Sequence, residues 1–342
     1  MAAISIPFNP GFFDWLKQSR IFRFLSPGIK GNKSGSVTAI PGTSLSDSPC
    51  KQIPDTVYHI MKSGYSPFKI KYRNRKAALI TGATSGIGKE FAYNFARLGY
   101  DLIITGRRRR EISVVASDLR NKYHVRADVI IADLSVKNDL SRLLKFIDNK
   151  KNIEILVNNA GYGLSERFVE DQINNQLKML KVHVTAPLLL IHKVLPEMIR
   201  QRKGNIINVT SLAAYVPNSK NTMYTSTKSF LTNFTESLFL DLNQYGIRVQ
   251  CLCPGFARTD FHNRLRLKEE LTNNRLINWM DPSEVVKYSL HCLETGKIIC
   301  IPGMANRMIV SLISMLPRRF YYFLTGILAP RISTQEKFRP CA

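Results

Sequence analysis

A tyrosine and a lysine in this sequence have the types and spacing needed for proton transfer. Tyr224 and Lys228 are four positions apart in "YTSTK", so on a helix they would share one face. Free tyrosine titrates at about 10, which is too high for ready proton exchange, and a nearby ammonium favours the phenolate and lowers that pKa. Taken alone, the pair could equally be an ordinary polar helix face.

Ser211 is a third candidate for the same chemistry. It precedes Tyr224 by thirteen residues and ends the apolar run "GNIINVTS" (Gly204–Ser211). Open α/β sheets bind ligands beyond the carboxyl ends of their strands, and a hydroxyl there can orient and polarise a carbonyl. The alternative is a serine that merely ends a strand.

A glycine-rich segment, "LITGATSGIGKEFA", joins the first apolar run to a helical pattern. Gly82 permits a tight turn, while Gly86 and Gly88 allow the backbone to approach a pyrophosphate and the helix to pack on the strand. Backbone N–H groups at the helix start then face the phosphates. The segment predicts a dinucleotide site that includes Gly82, Thr84, Ser85, Gly86, Ile87 and Gly88.

The end of the next apolar run indicates which dinucleotide is bound. An acidic residue about 20 positions after the last glycine would hold a ribose 2′-hydroxyl and indicate NAD(H). Arg107, in "TGRRRREI", stands there instead, nineteen residues after Gly88. A guanidinium matches phosphate oxygens, so the sequence favours NADP(H) over NAD(H). The alternative is a solvated basic turn.

Seven apolar, β-rich runs alternate with segments that have helical spacing. Strands that are apolar on both faces predict a parallel sheet covered on both sides. We therefore expect an α/β, Rossmann-like, doubly wound parallel seven-stranded sheet with helices on both faces, forming one domain over residues 71–304. The runs are Ala77–Gly82, Asp101–Gly106, Ala127–Leu134, Ile153–Gly161, Gly204–Ser211, Ile247–Gly255 and Lys297–Gly303.

These motifs, together with "NNAG" and "PGFART", have an order and spacing that resembles the short-chain dehydrogenase/reductase family over roughly residues 76–303. The resemblance implies an NADP(H)-dependent oxidoreductase that interconverts a ketone and a secondary alcohol. Tyr224 would be the proton donor or acceptor, and Lys228 would also hold the nicotinamide ribose. The segment "PGMANRMIVSLISMLPRRF" looks like the tail of bacterial-type members of unassigned substrate, more distantly similar to microsomal 3-ketoacyl-CoA and 17β-hydroxysteroid reductases. The apolar side chains expected around the substrate pocket favour a lipophilic, acyl or steroid-like substrate.

The resemblance also implies contacts with the rest of the cofactor. They lie beside the adenine, beside the adenosine ribose and beneath the nicotinamide carboxamide. The residues beside the adenine are Asp133 and Leu134. Those beside the adenosine ribose are Asn159, Ala160 and Gly161, and those beneath the carboxamide are Pro254, Gly255 and Thr259.

His183 is a departure from the family pattern. Many members have an asparagine at this position, as a fourth catalytic residue that supports a proton-relay water, whereas this chain reads "KVHVTAPLL". Much of that support comes from a main-chain carbonyl, so we expect activity to survive with a changed pH profile. The alternatives are that His183 donates directly to the relay, or that it is a packed residue in a helix kink.

Composition and charge bear on the partners. There are 49 Lys+Arg against 25 Asp+Glu, a net charge of +24 that favours phosphorylated cofactors or anionic lipid surfaces. No nucleic-acid-reading module occurs, so nucleic acid is not an expected partner. The six cysteines form no CxxC pair, no metal site is expected, and Cys251 and Cys253 look like small apolar strand residues.

The two ends of the chain differ from the domain. Residues 1–70 are predicted to be a flexible extension with an amphipathic pattern at Asn9–Leu25. Its basic, acid-poor composition suits organelle targeting if the source is eukaryotic, or a disordered extension in a cytoplasmic protein. Residues 305–342 are predicted to be an apolar and basic helical tail, which could lie at a membrane surface, pack on the domain or pack across a dimer.

Substrate and subunit contacts are less closely specified. An apolar segment after Thr259 is expected to cover a small carbonyl or alcohol substrate, with Tyr162, Leu164, Phe168, Tyr215 and Val216 as further lining residues. The resemblance implies a homodimer or homotetramer formed through helices at Asn174–Lys203 and Tyr224–Tyr245. A non-catalytic NADP-binding regulatory or assembly protein is the alternative to an enzyme.

Overall fold

The computed structural model describes residues 75–164, 166–216, 221–260 and 279–322. The predicted N-terminal extension, most of the segment expected to cover the substrate, and the last twenty residues of the tail lie outside the described residues.

The core is a seven-stranded, all-parallel sheet in the order β3-β2-β1-β4-β5-β6-β7. All seven predicted strands are present, so the predicted fold class is confirmed. The strands are β1 Ala77–Thr81, β2 Asp101–Gly106, β3 Ala127–Ile131, β4 Ile153–Asn158, β5 Gly204–Val209, β6 Ile247–Leu252 and β7 Ile299–Cys300.

Helices connect the strands, as the parallel pairing requires. The described helices are α1 Gly86–Arg97, α2 Arg109–Tyr123, α3 Lys137–Asp148, α4 Ile173–Leu180, α5 Ala186–Gln201, α6 Thr222–Leu242, α7 Pro282–Glu294 and α8 Met304–Met315. A π-helical turn, Lys181–Thr185, joins α4 directly to α5.

Two apolar cores cover the two faces of the sheet. Alternate residues of β1 belong to different cores: Ala78 and Ile80 face α1, α2 and α7, whereas Ala77 and Leu79 face α3, α5 and α6. Cys251, in β6, is fully buried, as expected of a small apolar strand residue. This double burial explains why the strands are apolar throughout rather than alternating.

Several predicted strands are longer than the observed ones at their carboxyl ends. The residues that follow β3, β4 and β6 leave the sheet as loops at the edge where parallel sheets bind ligands. The prediction for β7 needs the largest correction, since only Ile299 and Cys300 pair with β6. Pro302 follows them and has no N–H to continue the ladder.

The continuous helix from Ile173 to Gln201 has the length and hydropathy of a membrane span, but half of its most apolar 18-residue stretch is buried in the domain. Its residues Leu190, Ile191 and Val194 pack in the core that contains Ala77 and Leu79. It therefore has the features of a core helix that supports the sheet.

Candidate active site

A cleft of about 1080 Å³ opens at the carboxyl ends of the strands, where the order reverses between β1 and β4. It is large enough for a dinucleotide and a substrate. Nearly all residues predicted for the site line it: Gly82, Thr84, Ser85, Gly86, Ile87, Arg107, Asp133, Leu134, Asn159, Ala160, Gly161, Ser211, Tyr224, Lys228, Pro254, Gly255 and Thr259.

Two glycines of the predicted phosphate loop have different structural roles. Gly82 has φ +68°, and a Cβ there would lie 2.9 Å from the Cα of Ala160, so the turn out of β1 needs glycine. Gly88 does not line the cleft. A Cβ at Gly88 would lie 2.4 Å from the carbonyl oxygen of Gly82, so this glycine lets α1 pack closely on the end of β1.

Asn159 links the turn after β4 to the end of β1. Its Nδ2 donates to the carbonyl oxygens of Thr81 and Gly82, both at 3.0 Å. The Thr81 hydroxyl accepts from the backbone N–H groups of Asn159 and Ala160, also at 3.0 Å. These bonds hold the two loops that flank the cleft at the strand-order reversal.

Arg107 lies on the side of the cleft formed by the loop after β3. Its Nη1 is 3.5 Å from Asp133 Oδ2, and its Cζ is 5.8 Å from the centroid of the Tyr162 ring. Burial raises the pKa of Asp133, but hydrogen bonds from Ser135 and the charge of Arg107 outweigh it, so the carboxyl pKa lies below its ordinary value. Asp133 is therefore an anion at neutral pH.

Arg108 is the basic residue that reaches the glycine-rich loop. Its Nη2 donates to Thr84 Oγ1 at 2.9 Å and to Ser85 Oγ at 2.8 Å, and its Nη1 pairs with Asp260 Oδ2 at 3.0 Å. Sequence reasoning missed both Arg108 and Asp260. The run of four arginines contains no signal that distinguishes Arg108, and Asp260 is 152 residues away in the chain.

Ser211 and Tyr224 meet inside the cleft. Ser211 Oγ accepts from the backbone N–H of Ala213 at 3.2 Å, which fixes the side chain at the start of the turn after β5. Burial raises the pKa of the Tyr224 phenol above its ordinary value, and a hydrogen bond with Ser211 opposes that rise. The protein's own groups thus shift the pKa upward, contrary to the lowering expected from the sequence, because desolvation dominates.

Lys228 is buried one turn of α6 beyond Tyr224. Its Nζ lies 5.8 Å from the centroid of the Tyr224 ring and donates to the carbonyl oxygen of Val209 at 2.9 Å. Burial lowers the pKa of this lysine from 10.5 to about 8. The ammonium is therefore charged at neutral pH, in an environment that opposes the charge.

His183 lies behind the cleft rather than in its lining. It is in the π-helical turn, and its ring is 5.7 Å from the rings of both Tyr162 and Tyr224, centroid to centroid. Nε2 accepts from the backbone N–H of Tyr162 at 3.1 Å, and Nδ1 lies 3.0 Å from Thr227 Oγ1. Burial and the charge of Lys228 lower the pKa of His183 well below its ordinary value, so the ring is neutral.

The hydrogen bonds identify the tautomer of His183. Thr227 Oγ1 donates to the carbonyl oxygen of Tyr224 at 2.9 Å, so its remaining capacity is to accept from His183 Nδ1–H. Both ring nitrogens are therefore engaged, and no N–H is directed into the cleft. This geometry contradicts direct proton donation by His183 to a relay.

The expected substrate-lining residues divide into three groups. Tyr162 and Val216 line the cleft. Leu164 and Phe168 border a separate small cavity that Tyr224 also lines. Tyr215 lines neither, since its hydroxyl approaches Cys253 Sγ at 3.8 Å. In the described part of the chain, no group of three or more His, Cys, Asp or Glu residues could hold a metal ion.

The family model described as short chain dehydrogenase matches residues 76–270. The chain is 32% identical, over 67% of its length and 96% of the relative, to the 3-oxoacyl-acyl-carrier-protein reductase FabG of Aquifex aeolicus. It is 29% identical, over 64% of each chain, to the inactive hydroxysteroid dehydrogenase-like protein 1 of Homo sapiens. A short-chain dehydrogenase from Sphingobium yanoikuyae in complex with NADPH superposes with TM-score 0.64 at 27% identity, covering 77% of this chain and 98% of that one. The glycine loop, the parallel sheet and these matches show that the chain belongs to the short-chain dehydrogenase family.

Proposed function

We propose that this protein is an NADPH-dependent reductase that interconverts a lipophilic ketone and a secondary alcohol, with Tyr224 as the proton donor. The observation that carries the proposal is the meeting of Ser211, Tyr224 and Lys228 in the same cleft as the glycine-rich loop. Hydride and proton must reach neighbouring atoms of one carbonyl, so the two sites must share one cleft.

The protein's own groups have the protonation states that reduction needs. A phenol with a raised pKa stays protonated at neutral pH, so Tyr224 holds a proton to give to the substrate oxygen. Ser211 Oγ accepts from Ala213 N–H, and its own O–H, which hydrogen-bonds Tyr224, would turn to the carbonyl oxygen of a bound substrate and polarise it. The Lys228 ammonium, 5.8 Å from the centroid of the Tyr224 ring, would stabilise negative charge that develops on the phenol oxygen. The bound nicotinamide would supply the hydride.

The preference for NADPH over NADH rests on Arg108 and Arg107. Arg108 brings a guanidinium to the hydroxyls of Thr84 and Ser85, a set of donors that suits a ribose 2′-phosphate. Arg107, over the Tyr162 ring, supplies a second positive charge on the adenine side. The NADPH bound by the Sphingobium relative is consistent with this preference.

The lipophilic substrate is supported by the apolar residues that follow Ser211. Leu212, Ala213 and Val216 line the cleft beside the catalytic hydroxyls, and Phe256 lines it from the loop after β6. The name of the Aquifex relative suggests a β-ketoacyl thioester as one class to test, and the name of the human relative suggests steroids as another.

We further propose that His183 is a positioning residue. It joins the loop after β4, through Tyr162 N–H, to the turn of α6 that carries Tyr224, through Thr227. Support of a relay water by a main-chain carbonyl at this position stays a prediction.

A homo-oligomer is the proposed assembly. The helices expected to form it carry exposed apolar side chains, among them Ile173 and Leu177 on α4, Leu189 on α5, and Phe230 and Leu240 on α6. Light scattering at several protein concentrations would give the subunit number, and a monomer throughout would refute the proposal.

The competing function is that of a non-catalytic NADP-binding protein. The human relative's name, which contains the word inactive, supports testing this alternative. Ser211, Tyr224 and Lys228 all line the cleft. A protein that only binds NADP has no physical reason to retain these three residues. An enzyme turns over NADPH with some carbonyl compound, whereas a binding protein does not.

The test is a screen for NADPH oxidation with ketones, β-ketoacyl thioesters and steroids, followed by Tyr224→Phe on the best substrate. We expect turnover to fall about 10²–10⁴-fold, the usual loss for a positioned general acid, with NADPH binding retained. Tyr215→Phe is the matched control, because its hydroxyl contacts Cys253 and not the cleft. Normal turnover by Tyr224→Phe would refute the mechanism, and no turnover with any substrate would favour the binding protein.

A further inference from the structure

α8 presents an exposed apolar stripe on the outside of the domain. Met304, Met308, Leu312 and Met315 are spaced by four, four and three residues, so they lie on one side of the helix. Their exposed fractions are 65%, 66%, 63% and 80%. We call these four residues the α8 face. Four large apolar side chains with most of their surface in water indicate a surface that binds something.

The opposite side of α8 accounts for its attachment to the domain. Asn306 and Val310 are buried, and Asn306 Nδ2 donates to the carbonyl oxygen of Pro302 at 2.8 Å. A Cβ at Gly255, in the cleft lining, would lie 2.7 Å from Asn306 Nδ2, so α8 packs directly behind the candidate active site. The domain therefore uses the inner side of α8 and leaves the α8 face uncovered by the described residues.

The charges of α8 are also turned away from the α8 face. Arg307 is its only charged residue. Its Nη1 donates to the Tyr288 hydroxyl at 2.7 Å, and its Cζ lies 5.5 Å from the Tyr288 ring centroid. The α8 face therefore contains no charged residue, whereas the solvent-exposed face of an amphipathic helix usually carries charged and polar side chains.

The charged residues that flank α8 in the sequence, from residue 295 to residue 335, are all positive. Arg318 and Arg319 follow α8 after Leu316 and Pro317, and both are exposed. No Asp or Glu occurs between Glu294 and Glu336, whereas Lys and Arg occur there five times. Apolar side chains that are followed in the chain by cations complement a surface with anionic headgroups above hydrocarbon.

We propose that the α8 face docks onto an anionic lipid bilayer, with α8 parallel to the membrane plane. A helix of 12 residues is too short to cross a bilayer, which needs about 20. The Met and Leu side chains enter the headgroup–acyl boundary, and Arg318 and Arg319 pair with lipid phosphates. The candidate active site then lies next to the membrane, because α8 packs behind Gly255.

The first test places a reporter on the α8 face of the full chain. Leu312→Trp should shift its emission to the blue and be quenched by brominated lipids in vesicles that contain phosphatidylserine. Val114→Trp is the matched control, since Val114 is equally exposed on α2 and should not respond. The parent protein, with Trp15 and Trp279 only, gives the background.

The second test removes the positive charges. Arg318→Gln with Arg319→Gln should weaken binding to these vesicles about 25-fold, from about fivefold for each basic residue at an anionic surface. Arg109→Gln with Arg110→Gln, an exposed adjacent pair on α2, should leave binding within about twofold. Vesicles of phosphatidylcholine alone should bind the parent protein much more weakly.

Three outcomes would overturn the proposal. Vesicle binding without quenching at position 312 would mean that another segment makes the contact. A blue shift at position 312 without vesicles, together with a larger mass by light scattering, would mean that a second copy covers the α8 face. The same shift without vesicles or a mass change would mean that the chain's own tail covers it.

Discussion

Lys228→Met should separate the stability of this fold from its activity. Burial lowers the pKa of Lys228 from 10.5 to about 8, so keeping the ammonium in the fold costs about 3 kcal/mol at neutral pH. Methionine is also unbranched and fills similar space without a charge. The carbonyl oxygen of Val209 loses its donor, a loss of about 1–2 kcal/mol. The net expectation at pH 7 is a variant more stable than the parent protein by about 1–2 kcal/mol.

The pH dependence follows from the direction of the pKa shift. Below pH 8 the lysine is charged in both the folded and the unfolded chain, so the destabilising cost is fully present. Between pH 8 and 10.5 the folded chain releases its proton first, and the cost decreases as pH rises. At pH 10 about 1 kcal/mol of the cost remains. The stability advantage of Lys228→Met should therefore shrink by about 2 kcal/mol from pH 7 to pH 10.

The measurement is urea unfolding, followed by far-ultraviolet circular dichroism, at pH 7, 8.5 and 10. Lys145→Met, on the exposed side of α3, is the matched control and should show no such trend. Turnover by Lys228→Met should fall at least about 100-fold, because the cation that stabilises the phenolate is gone. A variant less stable than the parent protein by the same amount at every pH would refute the reasoning.

Two further variants test the cofactor and positioning assignments. Arg108→Ala should weaken NADPH binding about 10–100-fold, the usual strength of hydrogen bonds to charged groups, and leave NADH binding within about twofold. Arg110→Ala is the control. Equal losses of affinity for both cofactors would contradict a role of Arg108 in binding the 2′-phosphate. His183→Phe keeps a ring but loses both hydrogen bonds, so kcat should fall about tenfold. The pH profile of kcat should keep its shape, because His183 is neutral throughout; loss of one ionisation from that profile would show that His183 carries a proton.

The fold and most of the candidate site could be predicted from the sequence because their signals are local. A strand buried on both faces must be apolar throughout, and the turn after β1 needs glycine at its positive φ, so both features appear in the order of residues. Tyr224 and Lys228 lie one helical turn apart, and their proximity follows from the helix itself.

Other features depend on segments that are distant in the chain. Arg107 and Arg108 are chemically identical, and only the path of the backbone into α2 directs Arg108 towards the glycine loop and Asp260. The partners of His183 come from two other elements, 21 and 44 residues away, so its neutral, doubly bonded state could not be read from its neighbours.

The strands that are apolar throughout predicted the parallel sheet, and the order of glycines, hydroxyls and the Tyr–Lys pair predicted the family and most residues that line the cleft. The tertiary structure alone decided the ionisation of those residues and the contacts of the arginines. The physical reason is that desolvation and charge–charge distance depend on how completely other segments surround a group, as the upward shift of the Tyr224 pKa and the downward shift of the Lys228 pKa show.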